Sequence, residues 1–190
     1  MRVTTKDGVG LHVEEAGQGT PILFIHEFGG NHESWEPQMR FFARRHRCVT
    51  YAARGYAPSG IPCSIENYSQ SIAVDDALAV LDALGIEKAH VVGLSMGGFT
   101  TVHLGLNAPE RALSLTVAGA GYGCEKEFEA YFRNVSLEVA DNFEKQGARE
   151  FSKIYALGAS RVQFQNKDPR GWREFADRLA THSDTGAALT

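Results

Sequence analysis

Gly93-Leu94-Ser95-Met96-Gly97 directly follows the apolar run Ala89-His90-Val91-Val92 and opens a helix-like stretch, the setting of a strained strand-to-helix turn that carries a nucleophilic serine. A serine hydroxyl is a weak nucleophile near neutral pH, so it must stand exposed where an imidazole can take its proton during attack. A sharp turn provides that exposure. It also forces the serine into a sparsely allowed backbone region, and Gly93 and Gly97 lack the Cβ atoms that would collide there. A helix beginning directly after Ser95 aims free backbone N–H groups at the place where an oxyanion forms, so the Met96 N–H is the expected first donor. The bland alternative is a tight turn with an ordinary serine, because short G-x-S-x-G strings arise by chance.

A second element lies upstream. Pro21-Ile22-Leu23-Phe24-Ile25 is a continuous apolar run, as expected for a strand buried on both faces, and it ends in His26-Glu27-Phe28-Gly29-Gly30. A strand end followed by glycines can supply another oxyanion donor, although Gly29-Gly30 would make a turn whether or not catalysis occurs.

The remaining chemistry-bearing residues point to nothing comparable. His12 falls in an N-terminal hairpin, His46 at the end of a basic helix, His90 in the strand feeding Ser95 and His103 in the helix after it; none is placed as a general base. His182 precedes Asp184, but Arg178-Leu179-Ala180-Thr181-His182-Ser183 continues an amphipathic helix, which predicts a solvated face. His26, Glu27, His32 and Glu33 gather in one loop region without a metal-binding spacing such as H-E-x-x-H, so the expectation is no metal and no cofactor. Cys48, Cys63 and Cys124 are scattered, which suits a reduced, cytoplasmic protein.

These residues need a frame. Val9 to Glu15 pairs with Arg2 to Thr5 across Asp7-Gly8, then come the Ile22 strand, a helix near Trp35 to Arg45 and the Cys48 to Ala52 strand. From Tyr68 to Leu84, Ala77, Leu78, Leu81 and Leu84 recur at helical spacing, with Asp75, Asp76 and Asp82 on other faces and Gly85 as the stop. Leu113 to Val117 is a further strand. This alternation predicts a mostly parallel sheet with helices on both faces. After Gly123 strand-like runs disappear and helix formers dominate, which reads as a helical cap with dense aromatic content, mostly core. With 190 residues, 43% of them hydrophobic, the chain can bury a substantial core. Its net charge of -4 offers no broad basic surface for nucleic acid. The basic cluster Arg40 with Arg44-Arg45-His46-Arg47 reads as a solvated helix face and end. No stretch is apolar enough to cross a bilayer, so no membrane partner is expected.

In this order, the hairpin, the His26 to Gly30 loop, the Arg54-Gly55 loop, the Ser95 elbow, Pro109-Glu110-Arg111 and the final helices resemble the α/β-hydrolase fold family over nearly the whole chain. The resemblance implies a doubly wound, mostly parallel core at 1–121 and a helical cap at 122–190. It makes Ser95 the nucleophile, with the backbone N–H groups of Phe28 and Met96 as the oxyanion hole, and His26 a loop brace. Three departures stand out. Glu27 occupies a usual glycine position, and a carboxylate beside an oxyanion is repulsive, so Glu27 is expected to point away or to bind a polar substrate group. Ala52 replaces a common aspartate two residues before Arg54, which predicts a missing loop brace. The acid and the histidine of a Ser-His-Asp triad follow the serine in this architecture, so a C-terminal segment of the same protein, continuous or separate, is expected to supply them with the C-terminal strands and helices that this chain lacks.

The function so implied is cleavage of a carboxylic ester or related acyl bond in a small, fairly apolar substrate, of the esterase or lactonase type. Carbon–carbon bond hydrolysis and cofactor-free perhydrolysis use the same residues. The rival class is a ligand-binding protein that has kept the fold without turnover. Haloalkane and epoxide hydrolysis are disfavoured because those members carry an aspartate where Ser95 stands.

Overall fold

The computed structural model describes residues 1–190, the side chain of Ser160 excepted. A six-stranded sheet runs in the order β1-β2-β4-β3-β5-β6, with β1 Arg2–Thr4, β2 Gly10–Ala16, β3 Thr20–Ile25, β4 His46–Tyr51, β5 Ala89–Leu94 and β6 Ala112–Ala118. The hairpin β1/β2 is antiparallel and joins β4 antiparallel; β4, β3, β5 and β6 are parallel neighbours. Helices α1 (Glu36–Phe42), α2 (Gln70–Ala83) and α3 (Met96–Asn107) connect the parallel strands.

Strand β3 explains its own composition. Alternate side chains of a strand face opposite ways, and here Leu23 and Ile25 pack with Val74, Leu81 and Leu104, while Ile22 and Phe24 pack with Trp35, Met39 and Cys48. Both faces are covered, so no polar residue interrupts the run. Strand β6 is the opposite case: it is an outer strand, and Leu113, Leu115 and Val117 remain 47%, 42% and 43% exposed.

Beyond β6 the chain is helical, with α4 (Lys126–Gln146), α5 (Ala148–Tyr155), α6 (Val162–Lys167), α7 (Pro169–Leu179) and α8 (Asp184–Leu189). Local signals set these boundaries. Asp168 caps α7 by accepting from the Gly171 N–H, with Pro169 at its first turn, and Ser183 caps α8 through Gly186. Asp184 Oδ1 accepts from the Ala148 N–H at 2.6 Å, tying the start of α5 to α8. Phe143, Phe151, Phe175, Leu179 and Ala187 form a core of their own, and Phe28 from the loop after β3 packs onto it.

Several expectations shift in detail. The helix expected from Trp35 to Arg45 is a short 3-10 turn, His32–Trp35, followed by α1, which ends at Phe42. His46 is the first residue of β4 rather than a helix end, and Arg47 lies on that strand, paired with Glu15 at 3.0 Å. Strand pairing with Thr20 and Pro21 wins over the helical propensity of the basic run. Asp76, on another face of α2 than its apolar stripe, is 2% exposed and receives two hydrogen bonds from Arg54, both of 2.7 Å. The loop after β4 therefore has its brace despite Ala52. Arg54 also reaches Asp7 Oδ2 at 2.8 Å, and Ser59 Oγ donates to the Ala52 carbonyl at 2.6 Å.

Candidate active site

Ser95 sits between β5 and α3 with φ 52 and ψ -112, and it is the one non-glycine residue with positive φ among the described residues. Such a conformation is strained for any residue with a Cβ and persists only where its surroundings impose it. Ser95 N–H donates to the Ala118 carbonyl at 2.8 Å, which fastens the turn to the end of β6. The glycines make the approach possible. A Cβ on Gly93 would lie 2.0 Å from the Gly97 carbonyl oxygen, and one on Gly97 would lie 2.2 Å from the Ile25 oxygen and 2.8 Å from that of His26. The start of α3 is thus pressed against the end of β3, which brings the Ser95 turn beside the His26 to Gly30 loop. Ser95 is half-buried, and no side chain caps α3, so the positive end of the helix is open at this point.

The loop after β3 is rigidly held. The buried His26 ring lies between two backbone groups, with Nδ1 2.8 Å from the Glu27 carbonyl oxygen and Nε2 3.0 Å from the Ala53 nitrogen. A carbonyl only accepts and an amide N–H only donates, so Nδ1 carries the proton and Nε2 is bare. Burial pushes the His26 pKa down to about 4. Phe28 is half-buried, its ring 5.9 Å from Phe143 and 5.8 Å from Tyr155. Glu27 is 8% exposed. Its Oε1 accepts from Ser34 Oγ at 3.3 Å, while Oε2 is buried without a hydrogen-bond partner. Burial raises the Glu27 pKa above the usual carboxylate range, against the pull of Arg161 and Arg178.

Met96 lines a cavity of about 310 Å³ together with Ile25, Tyr51, Arg54, Thr100 and Thr190; Ser95 is not among its lining residues. Phe143, Phe151 and Phe175 of the helical region are buried core, whereas Phe128 and Tyr131 are exposed.

No histidine takes the position of a general base for Ser95: among the described residues, no hydrogen bond joins the Ser95 hydroxyl to an imidazole. His182 is not on a solvated helix face. It lies in the turn between α7 and α8, 7% exposed, with Nε2 3.0 Å from the Gly29 carbonyl oxygen and its ring 5.1 Å from Tyr56. The helical pattern read from Arg178 onward ends at Leu179, and the turn that follows folds His182 inward. Of the polar loop group, His26 is bound to backbone and Glu33 pairs with Arg178 at 2.9 Å. The set of three potential ligands that does converge is His12, Glu14 and His32.

Comparison with known proteins agrees with this architecture. The family model described as alpha/beta hydrolase fold matches residues 20–189. The 3-oxoadipate enol-lactonase 1 of Acinetobacter baylyi is 39% identical over 122 residues, which are 63% of this chain and 45% of that protein. Among solved structures, the enol-lactonase from Burkholderia xenovorans aligns over 100% of this chain and 71% of its own, with a TM-score of 0.85 and 20% identity. A thermophilic esterase from Thermogutta terrifontis covers 100% of this chain and 70% of its own, with a TM-score of 0.85 and 19% identity. The chain spans less than half the length of the curated relative above. A mostly parallel sheet, a strained serine turn at the end of β5 and a family match over most of the sequence converge on one conclusion: the chain belongs to the α/β hydrolase fold family.

Proposed function

We propose that the protein is a serine hydrolase of the esterase or lactonase type, acting on a carboxylic ester or related acyl bond. The observation that carries this reading is the positive φ of Ser95 at the start of an uncapped helix, a costly geometry that serves to present a hydroxyl beside open amide donors. Ser95 Oγ attacks the acyl carbon. The N–H groups of Phe28 and Met96 hold the oxygen on which negative charge develops, and the leaving alcohol departs with a proton. Water then releases the acid and frees Ser95.

The proton carriers of this scheme are a histidine and an aspartate from a further segment of the same protein, laid along the outer edge of β6. The exposure of Leu113, Leu115 and Val117 on that strand supports the assignment. Glu27 is read as a substrate-binding residue along with Phe28. Its buried, unpartnered Oε2 is a polar atom in need of a partner, and burial raises its pKa, which weakens the charge it would otherwise set against the oxyanion.

A fluorophosphonate probe tests the reading. The full-length protein should be labelled on Ser95, and Ser95→Ala should take no label; p-nitrophenyl esters and lactones of graded acyl length then identify the substrate. Absence of labelling together with tight retention of a small apolar ligand would establish the ligand-binding alternative instead.

A further inference from the structure

His12 and Glu14 lie two residues apart on β2 and so project from the same face of the strand. His32, from the 3-10 turn after β3, meets them there. Glu14 Oε1 is 3.2 Å from His12 Nε2 and 3.3 Å from His32 Nε2, and the three ligand atoms lie within 4.8 Å of one another. Two imidazoles are thus aimed at one carboxylate oxygen. With zinc bonds of about 2.0–2.1 Å, a tetrahedral site sets its donor atoms about 3.3 Å apart, which is the spacing of the two nitrogen–oxygen pairs here, the two nitrogens lying within 4.8 Å of each other.

The surroundings favour a cation. The three residues line an open groove of about 810 Å³ whose other walls include Glu33, Glu174, Asp177 and Arg178. Four carboxylates face one guanidinium, and that guanidinium is engaged with Glu33. The donors are held in place before any ion arrives. The His12 amide N–H donates to Ser59 Oγ at 2.8 Å, and Thr50 Oγ donates to the His32 carbonyl at 3.3 Å. Asn31 and Ser34 form reciprocal caps around the turn that carries His32.

We propose that His12, Glu14 and His32 bind a divalent transition-metal ion of the zinc type, with water completing its shell. Two imidazole nitrogens and a single carboxylate select zinc and its neighbours over magnesium or calcium, which take oxygen ligands in larger number. The ion takes the place of the direct contacts between the two rings and the carboxylate. It clips β2 to the segment following the His26 to Gly30 loop, and its role is to stiffen that loop from outside, apart from Ser95.

Isothermal titration of the metal-free, full-length protein with zinc sulfate near pH 7.5 tests the assignment, with magnesium chloride as the control. One equivalent of zinc should bind, and magnesium should not. Loss of a residue that merely orients a ligand weakens metal binding by about 10–100-fold, so Glu14→Gln and His12→Gln, which each remove a ligand, should weaken it at least tenfold. Both side chains are partly exposed, and thermal unfolding without metal checks that the variants fold. A measurement on the unaltered protein runs alongside: zinc should protect His12 from diethyl pyrocarbonate and leave His46 and His90 reactive. No zinc binding beyond the magnesium control, zinc binding of unchanged affinity in both variants, or protection that misses His12 would each overturn the proposal.

Discussion

His182 Nε2 stands 3.0 Å from the carbonyl oxygen of Gly29, which joins the turn between α7 and α8 to the loop between β3 and α1. The ring nitrogen donates, since the carbonyl can only accept, and Tyr56 packs edge-on against the ring. This contact anchors the helical region to the loop that carries Phe28.

Replacing His182 by alanine leaves a buried carbonyl without its donor and opens a cavity beside Tyr56. An unsatisfied buried polar group costs about 1–3 kcal/mol, and the cavity adds to it. Chemical denaturation of His182→Ala should show a loss at the upper end of that range. If His182 were a surface residue, the loss would stay within about 0.5 kcal/mol.

Gly97→Ala tests the contact that sets the elbow against β3. The added methyl would sit 2.2 Å from the Ile25 carbonyl oxygen and 2.8 Å from that of His26. Both obstacles are backbone, so α3 must shift as a body. Overpacking of this kind destabilises by about 1–3 kcal/mol. The displacement moves Ser95 relative to the loop, so fluorophosphonate labelling should slow at least tenfold even where the variant is fully folded. A variant that labels at the unaltered rate would show that elbow and loop are not mechanically coupled.

His26 gives stability a defined pH dependence. Its pKa drops from 6.5 to about 4 on folding because the ring is buried, and a proton added to Nε2 would face the Ala53 N–H. Above pH 6.5 the ring is neutral in both states and contributes no slope. As pH falls from 6.5 to about 4, the unfolded chain takes up a proton that the folded chain excludes, and stability declines by at most about 3 kcal/mol. Glu27, whose pKa rises on folding, gains stability as it protonates and works against this trend. The comparison is therefore between His26→Gln and the unaltered protein: denaturation midpoints measured at intervals from pH 7 to pH 4 should fall less steeply in the variant. Parallel pH profiles would rule out the ring as the source.

How far the sequence discloses this structure depends on how local each cause is. The Ser95 turn is legible because its requirements, small residues on either side and a helix behind, all fall within five consecutive positions. Strand β3 is legible because burial on both faces excludes polar residues from the run itself. Asp76 and His182 are not legible. Helical periodicity assigns each a face, but the partner that draws each inward, Arg54 or Gly29, lies far away in sequence. The convergence of His12, Glu14 and His32 leaves one local trace, the i, i+2 spacing on a strand. The His26 to Gly30 loop is intermediate: its glycines mark a turn, while its position against α3 depends on the close packing of Gly97.

The ion pair between Arg54 and Asp76 yields the sharpest stability prediction. Both side chains are nearly inaccessible, at 6% and 3% exposure, so Arg54→Met leaves a buried carboxylate with no counter-charge. Breaking such a pair from one side costs about 3–5 kcal/mol. Asp7, the other carboxylate bound by Arg54, is 44% exposed and can turn to water, so it adds little. Removing both buried charges together, in Arg54→Met with Asp76→Leu, should recover much of the loss, because two apolar groups of similar volume need no compensation. A second signature separates charge from packing. In Arg54→Met the folded pKa of Asp76 rises further above its unfolded value, so the carboxyl destabilises the fold at neutral pH and ceases to do so as pH falls through that folded value. The single variant should therefore approach the unaltered protein in stability as the medium becomes acidic, while the double variant shows no such convergence. A single variant whose deficit is constant from pH 7 to pH 4 would mean that Arg54 matters for its volume and not for its charge.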